Sequence, residues 1–170
     1  MTGKSTGGSE RKSAMANPSG SILIADDEFS VRDSLSRWFR KDGFEVTPVA
    51  SAAEALKAMQ DRRYEVVLLD IKMPGMDGME LQEHIHRIDP QAAVIMITAF
   101  ASVDTAVRAL KQGAFDYLTK PIDPDELSHL VLRALEQRRL REENAQLRET
   151  IDEVVAGDKI VGESPPMRKV

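Results

Sequence analysis

Apolar residues in this chain fall in short unbroken runs that alternate with stretches of helical spacing. Ile22-Leu23-Ile24-Ala25 is the first run, and it ends in Asp26-Asp27. Val31, Leu35, Trp38 and Phe39 then recur at the spacing of one helix face, closed by Gly43. Phe44 to Val49 reads as a second strand. Ser51-Ala52-Ala53-Glu54 has the form of a capping box and opens a helix with Ala55, Leu56 and Met59 inward. Val66-Val67-Leu68-Leu69 is a third strand, ending at Asp70. Met73-Pro74-Gly75-Met76-Asp77-Gly78 is loop, after which Leu81, Ile85 and Ile88 mark a helix. Val94-Ile95-Met96-Ile97 is a fourth strand, ending at Thr98. Val103, Val107 and Leu110 mark the next helix, closed by Gly113, and Phe115 to Thr119 is a fifth strand, ending at Lys120-Pro121. Asp123, Pro124 and Glu126 then supply an N-cap, an N1 proline and an N3 glutamate for a last helix. Continuous apolar runs are what strands show when both sheet faces are covered. The alternation predicts an α/β fold, a doubly wound parallel sheet with helices on both sides. Ligands bind such sheets at the carboxyl ends of the strands.

Composition narrows the chemistry. The chain has 170 residues, 42% hydrophobic and 30% charged, enough for one globular domain and an extension. It has no cysteine, which excludes disulfides and thiolate metal sites. His84 and His86 lie two apart and point to different sides of a helix, so a histidine zinc site is not expected. The net charge of −5 gives no bulk reason to bind nucleic acid. No apolar run approaches the ~18 residues of a membrane span, and no secretion signal opens the chain. A cytoplasmic protein is expected. Residues 1–20, rich in Gly, Ser, Thr and Lys, read as a disordered tail. Gly3-Lys4-Ser5-Thr6 is like the end of a phosphate-binding loop but lacks the earlier glycine and the preceding strand.

The polar residues of interest each follow a strand: Asp26 and Asp27 the first, Asp70 the third, Thr98 the fourth, Lys120 the fifth. In a parallel sheet these ends share one edge, so residues nearly a hundred positions apart should converge. Three carboxylates at ~5 Å repel by about 3 kcal/mol per pair at an effective dielectric of ~20. Either one of them takes up a proton or a cation neutralises them. Three acidic oxygens with backbone and water suit magnesium, which favours phosphate partners. Lys120 adds a point charge and Thr98 a hydroxyl donor, together a clamp for a phosphoryl group. A carboxylate can itself be the nucleophile and form an aspartyl-phosphate. Taken singly, Asp26-Asp27 could be a helix cap, Asp70 a loop residue, and Thr98 and Lys120 surface positions; their joint placement at strand ends argues against that. An EF-hand loop beginning at Asp70 would put Lys72 and Pro74 where oxygen ligands belong. A haloacid-dehalogenase phosphatase needs a second aspartate that Asp70-Ile71-Lys72 lacks.

These residues resemble the receiver domain of bacterial two-component response regulators. The matching pieces are Ile24 to Glu28, Leu68 to Gly78, Ile97-Thr98-Ala99, and Gly113 to Pro121. The resemblance implies a flavodoxin-like receiver with strand order 2-1-3-4-5. It implies that Asp70 is the phosphoacceptor, served by the phosphohistidine of a sensor histidine kinase. Asp26, Asp27, Asp70 and the backbone carbonyl of Lys72 would hold Mg2+, with Mn2+ as an alternative ion. Thr98 and Tyr117 would form the switch pair, Lys120 would contact the phosphate, and the Lys120–Pro121 bond would be cis. Ala99, small beside Thr98, fits access to the site.

The last helix is expected from Asp125 to Val155, ended by Gly157; its ~31 residues would span about 46 Å. With Asn144 at heptad position a, Leu130, Gln137 and Ile151 also fall at a, and Leu140, Leu147 and Val154 at d. Glu136 and Glu143 at g then face Arg141 and Arg148 at e of a parallel partner. A parallel homodimer is expected. Lys159 to Val170 resembles the opening of the AAA+ ATPase domain of sigma-54-dependent transcriptional activators of the NtrC and DctD type. The organisation implied is a tail at 1–20, a receiver domain at 21–124, an extended fifth helix and coiled-coil linker at 125–156, and the start of a truncated AAA+ domain at 157–170. A regulatory fragment is expected that neither hydrolyses ATP nor binds DNA or membrane. The other readings are a phosphorelay receiver that passes its phosphoryl group on, and a magnesium phosphohydrolase.

Overall fold

A computed structural model of the chain describes residues 20–99 and 102–162, with side chains through residue 151. The tail up to residue 19 and the segment 163–170 of the AAA+-like stretch lie outside the described residues. The strands are β1 (Ser21–Ala25), β2 (Glu45–Val49), β3 (Val66–Asp70), β4 (Ala93–Thr98) and β5 (Asp116–Thr119). They form one parallel sheet, as the pattern implies, in the order β2-β1-β3-β4-β5 that the resemblance implies. The helices are α1 (Phe29–Lys41), α2 (Ala52–Asp61), α3 (Gly78–Ile88), α4 (Val103–Lys111) and α5 (Pro124–Gly162).

Successive strand residues face opposite ways, and this alternation sorts the core into two layers. Leu23, Val67, Leu69, Val94 and Met96 pack with Ala55 and Met59 of α2 and Leu81 and Ile85 of α3. Ile22, Ile24, Leu68, Ile95 and Ile97 pack on the other side with Leu35 and Phe39 of α1 and Leu127, Leu130 and Val131 of α5. Each fully buried side chain of this size contributes roughly 1.5–3 kcal/mol. The caps follow the sequence. Ser51 Oγ accepts from Glu54 N at 3.2 Å and Glu54 Oε1 accepts from Ala50 N at 3.0 Å. Asp123 Oδ1 accepts from Asp125 N at 3.0 Å. Gly43 and Gly113, past the ends of α1 and α4, sit at φ +96° and +107°, where a side chain would be strained.

The chain divides into two units, Met1–Leu135 and Glu136–Val170, with α5 beginning in the first and ending in the second. In the second unit Leu140, Leu147 and Ile151 are exposed on the helix, as is Asn144. Arg138 pairs with Glu142 one turn on, at 3.3 Å.

Several inward faces expected from spacing are placed otherwise. On α4, Val103, Val107 and Leu110 are 78%, 42% and 46% exposed, and Ala109 is the residue that packs inward. Trp38 lies at the rim of the α1 interface, with Nε1 donating to Ser128 Oγ at 2.7 Å. Ile88, in the last turn of α3, is exposed. Leu130, expected in a dimer seam, is instead buried in the core of the first unit. Gly157 does not end α5, which continues to Gly162. A glycine inside a helix costs only about 1 kcal/mol against alanine and does not by itself stop it. Val154 is on α5, with its side chain outside the described residues.

Candidate functional site

The parallel register delivers the strand ends to one edge. Ala25 lies opposite Leu69, Asp70 opposite Ile97, and Thr98 opposite Thr119. Asp26 follows β1 directly, Asp70 closes β3, Thr98 closes β4 and Lys120 follows β5. Asp26, Asp70 and Thr98 are buried and Asp27 is exposed. Asp26, Asp27 and Asp70 each offer a carboxylate oxygen, and these oxygens lie within 4.8 Å of one another.

Among the described residues, Lys120 is the cation that bridges the carboxylates of this edge. Its Nζ lies 2.9 Å from Asp26 Oδ2, 3.1 Å from Asp70 Oδ2 and 2.9 Å from Glu28 Oε1. Burial pulls the ammonium down, but hydrogen bonds to Asp26, Glu28 and Asp70 outweigh it and raise Lys120 above the ordinary lysine value. Burial pushes the Asp70 carboxyl up; the Lys120 hydrogen bond opposes the rise and the Asp26 charge adds to it. One lysine therefore does not fully compensate the burial of Asp70. The Lys72 amide donates to Asp70 Oδ1 at 3.1 Å, which ties the residue expected to lend a carbonyl to the acid beside it. The Lys120 amide donates to the Thr98 carbonyl at 2.8 Å, joining the ends of β4 and β5.

Tyr117, half-buried on β5, has its hydroxyl pushed up by burial, against the opposing effect of a backbone hydrogen bond at Ser102. Ser102 is the N-cap of α4. Ala99 is exposed beside Thr98, and the Lys120–Pro121 bond is cis. Leu140, Asn144, Leu147 and Ile151 belong to the other unit.

Two residues of the site carry no obvious mark in the sequence. Glu28 stands in the sequence only as the third acid after β1, yet its carboxylate contacts Lys120. It is the N-cap of α1 but makes no side-chain cap bond. The signal was available, because N-caps favour short Ser, Thr, Asp or Asn. Gly78, read as loop, opens α3 beneath Asp70, and its amide donates to the Ile71 carbonyl at 2.8 Å. A Cβ there would stand 2.5 Å from the Asp70 carbonyl oxygen and 2.7 Å from Ile71 Cα, so only glycine fits.

A five-stranded parallel sheet whose carboxyl edge gathers three aspartates, a lysine and a threonine defines a receiver-type module. The chain belongs to the response regulator receiver domain family, whose model matches residues 22–132. It is 40% identical over 149 residues to the regulatory protein AtoC of Escherichia coli (strain K12), covering 88% of this chain and 32% of AtoC. It is 39% identical over 153 residues to the DNA-binding transcriptional regulator NtrC of the same organism, covering 89% and 31%. The crystal structure of NtrX from Brucella abortus superposes with a TM-score of 0.72 at 36% identity, covering 76% of this chain and 30% of that one. The chain thus spans about a third of the length of the curated relatives it matches. Among the described residues, no helix is long and apolar enough to cross a membrane.

Proposed function

We propose that Asp70 accepts a phosphoryl group from the phosphohistidine of a sensor histidine kinase, and that this controls a cytoplasmic transcriptional activator. The observation that carries the reading is Asp70 itself: a buried carboxylate with Asp26 and Asp27 within 4.8 Å and Lys120 at 3.1 Å. In the transfer, an Asp70 carboxylate oxygen forms a bond to phosphorus as the bond from phosphorus to imidazole nitrogen breaks, and the electron pair leaves with the imidazole. Lys120 and the Thr98 hydroxyl hold the transferred oxygens, and Lys120 offsets charge on them.

The donor set fits a hard divalent cation. Three carboxylates converge, two of them buried, and one ammonium does not balance them. Asp26, Asp27, Asp70 and the carbonyl of Lys72 would hold Mg2+, or Mn2+ in its place. Bound there, the ion would neutralise the charge that gathers on the phosphoryl oxygens. Thr98, drawn toward the phosphoryl group, frees space that Tyr117 fills. That links Asp70 to the surface of α4, β5 and α5. The coupling expected is about 1–3 kcal/mol, enough to bias an association equilibrium.

The domain plan proposed is a receiver over 21–124, an extended helix and linker over 125–156, and an AAA+ entry segment from 157, whose first residues continue α5 to Gly162 and which leads on to a sigma-54-dependent ATPase. The exposed Leu140, Asn144, Leu147 and Ile151 support a parallel homodimer along the linker, without Leu130. The receiver catalyses its own phosphorylation and slow dephosphorylation. The test is incubation with Mg2+ and labelled acetyl phosphate. The parent should incorporate one label and Asp70→Asn none; equal labelling of both would remove Asp70 as acceptor. Multiple turnover on small phosphate esters would favour a hydrolase instead.

A further inference from the structure

Lys120 has three N–H donors on its ammonium, and three carboxylates take them: Asp26, Glu28 and Asp70. Phosphorylation turns the Asp70 contact into one with a phosphoryl oxygen, and the lysine's charge is then still shared with Asp26 and Glu28. Glu28 is the one placed to compete. Its side chain is 58% exposed, whereas those of Asp26 and Asp70 are 4% and 7% exposed. It is also held in place by a closed ring of contacts. The Glu28 amide donates to Asp26 Oδ1 at 2.8 Å, and Lys120 joins Asp26 Oδ2 to Glu28 Oε1.

The position of Glu28 in α1 gives independent support. As N-cap it has extended backbone, φ −90° and ψ 120°, and makes no side-chain cap bond. Aspartate at that position would cap the helix and stabilise it. Glutamate, one methylene longer, leaves the helix uncapped and reaches Lys120.

We propose that Glu28 is a positioning residue that withholds Lys120 from the phosphoryl group and so sets how tightly the phosphorylated form is held. The inference rests on the phosphoacceptor reading of Asp70. Glu28 does not touch the reacting atoms and acts through the lysine. Because it is more than half exposed, its hold on Lys120 is worth what a solvent-screened ion pair is worth, a factor of about three in binding.

The test is beryllofluoride affinity at saturating Mg2+ by titration calorimetry, with thermal melting alongside, for the parent, Glu28→Gln and Glu28→Asp. Glu28→Gln removes the charge and Glu28→Asp keeps it but shortens the reach. If the contact is what matters, both variants bind beryllofluoride about threefold more tightly, and Glu28→Asp also melts higher because it caps α1. Tightening in Glu28→Gln alone would assign the effect to general charge and overturn the proposal, as would unchanged affinity in both. A parent that binds no beryllofluoride would overturn the phosphoacceptor reading first, and the proposal with it. A change in melting temperature without a change in affinity would leave Glu28 a structural residue only.

Discussion

Replacing Asp70 with asparagine should stabilise the metal-free protein. The Asp70 carboxylate lies 3.1 Å from the Lys120 ammonium, an attraction of about 5 kcal/mol at an effective dielectric of ~20. Against it stands repulsion from Asp26, whose carboxylate oxygen is no further than 4.8 Å, of about 3.5 kcal/mol or more at the same dielectric. Burial of the carboxylate adds a further penalty of several kcal/mol. The opposed contributions leave the charged form disfavoured, which is why the Asp70 carboxyl is raised. Between the unfolded value, ~3.9, and the raised folded value, the native state binds more protons than the unfolded state, so stability falls as pH climbs through that window. Above it the full cost persists. Asp70→Asn removes the cost, so its advantage is present at neutral pH and disappears below about pH 3.9. A net gain of about 1–2 kcal/mol is expected, which raises the melting temperature by about 5 °C for a domain of this size. The assay is thermal unfolding by circular dichroism in EDTA at neutral and acidic pH, repeated with Mg2+. Magnesium at ~100 times its dissociation constant adds about 2.7 kcal/mol to the parent, and less to a variant lacking a ligand, so the order should reverse. A variant no more stable than the parent in EDTA at neutral pH would refute the charge argument.

Two further substitutions test the scaffold. Gly78→Ala would set a Cβ against the backbone of Asp70 and Ile71, so it should destabilise by about 2 kcal/mol or more and weaken Mg2+ binding, read by denaturant melts and metal titration. An unchanged midpoint would show that the loop yields freely. Leu147→Lys, on the exposed face of the linker, should shift sedimentation toward monomer while leaving the melting of the receiver in place; an unchanged sedimentation coefficient would count against the helical seam.

The sheet and its active edge were legible because they rest on covalent order. Once the strands are parallel, whatever follows each strand arrives at the same edge, and Asp26, Asp70, Thr98 and Lys120 needed no finer information. Helix faces were less legible, because spacing reveals that a face is apolar but not what covers it. Val103, Val107 and Leu110 have the period of a core face, yet α4 packs inward through the smaller Ala109. Leu130 met the opposite outcome: a heptad assigned it to a partner, and the domain's own core claims it. Glu28 was hidden for another reason. Its contact with Lys120 spans 92 positions, and a local motif records only that an acid stands after two others.

That separation also orders events in time. On a ribosome, Asp26, Asp27 and Glu28 emerge first, and Asp70 joins them when β3 pairs beside β1. The lysine that Asp26, Glu28 and Asp70 share is fifty residues beyond Asp70 and arrives only when β5 docks against β4. A nascent chain released short of Lys120 would carry an acidic edge that its own lysine has not yet reached. Closing that edge makes β5 the strand whose addition completes the sheet, and a dissolved divalent cation is the ready substitute until it arrives.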